Sequence, residues 1–238
     1  MTKNLIGDIQ VDLNKQADIK KAKVYQRFFK TGKGQYGEGD KFIGLTVPQQ
    51  RAIAKKYSTL SLTSVRKLLQ SKIHEYRLTA LMILSGKFAK ADTAERTKIY
   101  NFYLKNTKYI NNWDLIDLSS RDVVGAYLLD KPKERKILFK LVKSKSLWER
   151  RIAILATSAF FRKNDFRDTL AIAELLLHDE QDLIHKAVGW MLREVGKRDQ
   201  KTLIAYLDKH HKTMPRTMLR YAIERFSKAT RRAYLGRP

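Results

Sequence analysis

The chain of 238 residues contains no cysteine and no long apolar run. Without cysteine, disulfide frameworks, thiolate nucleophiles and Cys-ligated zinc or iron–sulfur sites are excluded, and a reducing, cytoplasmic compartment is expected. No stretch approaches the roughly 20 apolar residues that cross a bilayer. The N-terminal MTKNLIGDIQ lacks the apolar core of a signal peptide. We therefore expect no membrane association through a spanning helix.

Acidic residues are also scarce, at 24 against 49 lysines and arginines, which gives a net charge of +25. The positive charge runs along the whole chain, so attraction to a polyanion would act along a surface. Long duplex nucleic acid fits this distribution, with a membrane surface as the rival partner. The apolar content of 43% predicts a folded protein rather than a disordered one.

Alternating strand patterns are almost absent, and nearly every segment has helical periodicity. The start of one helix, at Thr46, is marked by the capping side chain of Thr46, by Pro48 in the first turn and by Gln49 at the capping-box position. The predicted helices are 18–30, 46–57, 61–70, 73–88, 92–105, 112–129, 132–143, 147–161, 166–177, 181–197, 200–209 and 215–228. The sequence therefore predicts an all-α fold.

Five of these helical segments resemble one another, and their starts are 37, 35, 36 and 33 residues apart. They begin at Tyr76, Trp113, Trp148, Ile184 and Thr217. Such a period, with two helices in each unit, is typical of HEAT or armadillo repeats. We expect one domain over residues 1–238, folded as a right-handed solenoid whose second helices line a basic concave face.

Helix 181–197 has an apolar stripe and a second, cationic side. The stripe consists of Ile184, Ala187, Val188, Met191, Leu192 and Val195; the opposite side carries Lys186, Trp190, Arg193 and Lys197. From this helix alone, two interpretations of Trp190 are equally favoured: it packs against a neighbouring repeat, or it contacts DNA. The three cations are candidate DNA contacts.

Helix 112–129 shows the same division. Leu115, Leu118, Ser119, Val123 and Ala126 share one side, and Trp113, Asp117, Ser120 and Val124 share the other. Asp117 follows Trp113 by one turn, so carboxylate and indole are neighbours. Asp114 points about 100° away and is a candidate for a cap or for pairing with a cation.

Two arginines begin helix 147–161. Arg151 falls on the rim of the apolar face. The ordinary interpretation is an ion pair between repeats, and the functional one is contact with a DNA phosphate. Arg150 points further out and is a second candidate phosphate contact.

The glycine-rich segment 32–44 contains G-x-G-x-x-G at Gly32, Gly34 and Gly37. A nucleotide-binding loop needs a preceding strand, and here the motif follows a helical segment, so that interpretation is rejected. A mobile, basic loop along a phosphate backbone is favoured. The five histidines have no metal-ligand spacing, so we expect no metal and no cofactor.

A cationic cleft with two indoles and one carboxylate suits hydrolysis of a glycosidic bond in DNA. The sugar becomes positively charged in the transition state, and a carboxylate stabilises that charge. A purine alkylated at N3 or N7 is already cationic and leaves without a general acid. One aspartate, Asp117, would then suffice, and nearby arginines would keep it ionised. The indoles would add cation–π attraction.

The motifs RFFK, FIGLTVPQQR, NNWDLID, LWERRIAIL and HKAVGWMLRE together resemble the AlkD-type DNA alkylation repair glycosylases, a HEAT-like repeat family. The resemblance covers most of the chain. It implies excision of cationic N3- and N7-alkylpurines from double-stranded DNA. It also implies an active cleft formed by Trp113, Asp117, Arg151 and Trp190, with Arg193 on DNA. Phe28 stands where the family has a tyrosine, so it is a candidate DNA contact that lacks the hydroxyl of the family pattern.

Two other functions remain open. A helical array without catalysis could bind branched or distorted DNA, and a third possibility is a protein-binding array. The presence of Asp117 with Trp113 and Trp190 favours the enzyme, and the charge favours either DNA function over the third. We expect a monomeric, monofunctional glycosylase.

Overall fold

The computed structural model describes residues 5–236, so the ends of the predicted 1–238 domain, residues 1–4 and 237–238, lie outside it. The all-α prediction is confirmed. Residues 5–236 contain no β-strand, and one isolated parallel bridge joins Lys41 and Ile73. The chain forms two compact units, Met1–Val124 and Gly125–Pro238. That they constitute one domain stays a prediction.

The first unit is built around its longest helix, α5. Its helices are α1 (Leu5–Asn14), α2 (Ile19–Phe28), α3 (Val47–Lys56), α4 (Leu62–Leu69), α5 (His74–Lys90), α6 (Thr93–Lys105) and α7 (Trp113–Asp117), with a 3₁₀ turn at Thr107–Tyr109. Helix α5 packs against α3, α4, α6 and α7. All of residues 74–81 are buried. Since that stretch includes His74, Glu75 and Arg77, these polar groups need partners inside the protein.

The second unit centres on α12. Its helices are α8 (Ala126–Leu128), α9 (Lys136–Leu141), α10 (Leu147–Ala156), α11 (Arg167–Leu175), α12 (Asp182–Gly196), α13 (Gln200–His210), α14 (Arg216–Ala222) and α15 (Lys228–Leu235), with 3₁₀ helices at Pro132–Arg135 and Thr157–Lys163. All six residues of the predicted α12 stripe are buried, which confirms it. Helix α14 lies so close that a β-carbon on Gly189 would be 2.4 Å from the carbonyl oxygen of Met218.

The prediction of a single helix over residues 112–129 is wrong. Helix α7 ends at Asp117, and the chain continues through a π-helical turn, Arg121–Gly125. At this break the Ser119 hydroxyl donates to the Leu115 carbonyl at 2.5 Å, an alternative to the regular backbone bond. The predicted division of the helix into two sides therefore does not hold beyond Asp117, although Ser119 and Val123 are buried as predicted. Ser120 and Val124, predicted to share the outer side with Trp113, are fully buried.

Several helix ends also differ from the prediction. The helix predicted over 215–228 ends at Ala222, and a separate helix, α15, begins after Ser227, whose hydroxyl caps it by accepting from the Thr230 amide at 3.1 Å. Helix α1 was missed. The predicted start at Thr46 is confirmed, because the Gln49 side chain accepts from the Thr46 amide at 2.8 Å. None of the helices between residues 5 and 236 combines the length and the apolar character that a membrane crossing requires.

Candidate functional site

Trp113 opens α7 and lies in an aromatic cluster of the first unit. Its ring stacks on Phe29, with centroids 5.1 Å apart and planes 17° from parallel. Phe28 meets it edge-on at 5.9 Å. The indole Nε1 donates to the Tyr36 hydroxyl at 3.2 Å. Trp113 is half-buried, so these contacts fix one part of the indole and leave another part at the surface.

Helix α2 supplies the exposed part of this cluster. Phe28 is its last residue and is 61% exposed, although it is a large apolar side chain. The same helix carries Lys20, Lys23 and Arg27, which are exposed and form no ion pair within residues 5–236. A helix that carries both an exposed aromatic ring and unpaired cations is suited to a polyanion with planar bases. Sequence reasoning found Phe28 but missed these cations, which the dense basic pattern of α2 could have indicated.

The carboxylate of Asp114 is directed inward. Its Oδ2 is 2.8 Å from Nε2 of His74, and its Oδ1 accepts from the Leu115 amide at 2.8 Å. The prediction that Asp114 caps or pairs with a cation is thus confirmed. The other ring nitrogen of His74 lies 3.0 Å from Asp40, which also accepts from Arg77 at 2.7 Å.

This buried network holds His74 between two carboxylates. Burial lowers the pKa of His74, but the charges and hydrogen bonds of Asp114 and Asp40 outweigh it, so the pKa is raised above its usual value. For Asp40, burial is likewise the largest influence, and His74 and Arg77 together overcome it and lower the pKa. Both ring nitrogens of His74 face carboxylate oxygens, which only accept hydrogen bonds, and on this geometry we assign His74 as an imidazolium.

Asp117 ends α7 one turn after Trp113, so the two side chains lie on the same side of this short helix. Asp117 is half-buried, whereas Asp114, three residues earlier, is buried. Burial, and after it the negative charge of Asp117, raises the pKa of the phenol of Tyr103. Of the predicted site residues, the first unit thus brings Phe28 into contact with Trp113 and places Asp117 one turn after Trp113 on α7.

In the second unit, the two arginines of α10 are held by the protein itself. Arg151 is 5% exposed and its Nη1 donates to the Leu183 carbonyl, in α12, at 2.6 Å. Arg151 therefore contacts another helix of the same unit through a backbone carbonyl. Arg150 is more exposed, as predicted, but binds Asp179 through Nε at 2.6 Å and Nη2 at 3.2 Å. Contact of either arginine with DNA stays a prediction.

Trp190 lies on α12 and is partly exposed, opposite the buried stripe. The three cations predicted around it each have an acidic partner. Lys186 pairs with Asp182 at 2.7 Å, Lys197 pairs with Glu194 at 2.7 Å, and Arg193 pairs with Glu224. These acids partly compensate the positive charge beside Trp190. Sequence periodicity located the cations but did not reveal their acidic partners.

Residues of the glycine-rich segment were also missed. Tyr36 bonds to Trp113, and Asp40 belongs to the buried network. Glu75 accepts from the backbone amides of residues 43–45, the closest being Gly44 at 2.7 Å. A tyrosine and an aspartate among glycines give no periodic signal, so only the folded chain reveals them.

Comparison with known proteins supports one family. A solved structure described as a predicted DNA alkylation repair enzyme from Enterococcus faecalis is similar at 16% identity, covering 90% of this chain and 98% of that one, with a TM-score of 0.70. The crystal structure of smu.31 from Streptococcus mutans UA159 is similar at 18% identity, covering 74% of this chain and 89% of that one, with a TM-score of 0.55. These likenesses concern the fold.

No curated protein matches the chain. The family model described as "DNA alkylation repair enzyme" matches residues 9–226, which include the greater part of both compact units and every predicted site residue. The chain therefore belongs to the DNA alkylation repair enzyme family.

Proposed function

We propose that this protein is a monofunctional DNA glycosylase, acting as a monomer without metal or cofactor, that hydrolyses the N-glycosidic bond of N3- or N7-alkylated purines in duplex DNA. The observation that carries the proposal is the position of Asp117. It is half-buried one turn from Trp113, while the other acid of the motif, Asp114, is bound to His74 in the interior.

The chemistry requires only one carboxylate because the substrate is already charged. The bond between the sugar C1′ and the purine nitrogen breaks, and its electron pair neutralises the cationic purine. The sugar carries positive charge in the transition state, and Asp117 stabilises that charge. A water oxygen then bonds to C1′ and releases a proton, leaving an abasic site and the free base.

The remaining groups would bind and orient the DNA. The exposed ring of Phe28 and the open part of Trp113 offer faces to a cationic base or to the sugar, with cation–π attraction of about 0.5–2 kcal/mol each. The unpaired cations of α2 would contact phosphates. Arg151 and Trp190 remain proposed residues of the active cleft. Lys186, Arg193, Lys197 and Arg150 remain proposed phosphate contacts.

The decisive experiment is to incubate the purified protein with randomly methylated duplex DNA and to identify the released bases by mass spectrometry. We expect N3-methyladenine and N7-methylguanine. Asp117→Asn should reduce their release by roughly a hundredfold or more, since it removes the charge that opposes the sugar cation. DNA affinity should be unchanged or higher, because a negative charge is lost.

Asp122→Asn is the matched control. Asp122 is exposed five residues further along and forms no ion pair in the described part of the chain, so the same charge is removed without touching the proposed site. Equal release by wild type and Asp117→Asn would exclude Asp117 from the mechanism. Tight binding of branched or distorted DNA without any base release would instead favour a non-enzymatic DNA-binding function.

A further inference from the structure

The glycine-rich segment 32–44 is folded against the aromatic cluster. The Gly37 amide donates to the Lys30 carbonyl at 3.2 Å. A β-carbon on Gly37 would lie 2.3 Å from the carbonyl oxygen of Phe29, so no other residue allows this approach. The close contact brings the neighbouring residue, Tyr36, to the end of α2 and to Trp113.

One phenol hydroxyl bridges the two aromatic residues of the site. Tyr36 accepts from Nε1 of Trp113 at 3.2 Å and donates to the Phe28 carbonyl at 3.4 Å. An indole has a single N–H donor, so this bond limits rotation of the ring within its plane. Stacking on Phe29 limits the tilt of the same ring. Together the two contacts define one orientation of Trp113.

The segment that carries Tyr36 is itself anchored. Asp40 accepts from Asn112, the residue before Trp113, at 3.1 Å and from Arg77 at 2.7 Å, both in the buried network. The Gly34 amide donates to Glu38 at 2.7 Å, which closes the turn around Tyr36. The buried network therefore anchors the chain next to both Tyr36 and Trp113, which are 77 positions apart in the sequence.

We propose that Tyr36 is a positioning residue that holds the Trp113 indole in the orientation offered to DNA. This inference rests on the proposed function for its consequence in catalysis, while the hydrogen bond itself can be tested without any activity. The glycine-rich segment thereby acts as a support for the site.

The first test is nuclear magnetic resonance of the indole N–H groups. The protein has three tryptophans, so its ¹⁵N spectrum has three indole signals, and Trp113→Phe assigns the relevant one. Tyr36→Phe should move that signal upfield and speed its exchange with solvent, leaving the other two in place. Tyr109→Phe is the control, because it removes a phenol hydroxyl bonded to Gln70 in the same unit. An unmoved Trp113 signal in Tyr36→Phe would overturn the proposal.

The second test is single-turnover release of methylated bases. Loss of one neutral hydrogen bond predicts a roughly two- to tenfold lower rate of base release, with the affinity for DNA changed less than the rate and the melting temperature close to that of wild type. Tyr109→Phe should retain the wild-type rate. A shifted indole signal with an unchanged rate would show that the bond does not position the site. If wild type released no base, the proposed function would fail, and the indole signals would still decide whether Tyr36 holds Trp113.

Discussion

His74→Gln should destabilise the protein strongly and in a manner that depends on pH. Its ring nitrogens lie 2.8 Å from Asp114 and 3.0 Å from Asp40, and all three side chains are buried. The ring also stacks on Phe42 with centroids 4.5 Å apart. Breaking a buried ion pair by removing one partner costs about 3–5 kcal/mol, because the remaining charges stay desolvated.

The pH dependence follows from the raised pKa of His74. Between the unfolded pKa of about 6.5 and the higher folded pKa, the folded protein holds a proton that the unfolded chain has lost. The stabilisation by His74 is therefore complete below about pH 6.5 and is lost as the pH rises through the folded pKa, by up to about 1.4 kcal/mol per unit. The His74→Gln variant lacks this contribution.

Urea unfolding of wild type and variant across about pH 5 to about pH 9 measures both effects. The gap between their free energies of unfolding should be widest at the acidic end and should narrow as the pH rises. A double-mutant cycle with Asp114→Asn gives the coupling between the two side chains. A gap below about 1 kcal/mol, or one independent of pH, would refute the assignment of His74 as a buried imidazolium.

Two further outcomes are expected in the second unit. Gly189→Ala should lower the free energy of unfolding by about 1–3 kcal/mol, since its β-carbon would be 2.4 Å from the Met218 carbonyl oxygen. An unchanged urea midpoint would mean that α12 and α14 separate easily. Arg193→Ala should weaken DNA binding and reduce the salt slope by about one phosphate contact, whereas Glu224→Gln should strengthen binding by releasing Arg193 from its partner. A salt slope that neither change alters would remove Arg193 from the interface.

Local sequence patterns were sufficient to predict most of the helices. The buried stripe of α12 and the capping box at Thr46 depend on residues three or four positions apart, so the sequence alone predicts them. The same local logic placed Asp117 one turn from Trp113. It failed beyond Asp117, where a serine side chain bonds to the backbone and the helical phase changes.

The sequence by itself determined the helical class, the cationic character and the position of Asp117 one turn after Trp113, because these depend on composition and on short-range periodicity. Only the tertiary structure decided which charges are paired. The Asp114 carboxylate is directed inward to His74, and Arg193 pairs with Glu224, which lies in the turn after α14. It also placed Tyr36 on Trp113. Such contacts join residues far apart in the chain, and no local pattern encodes the distance between them.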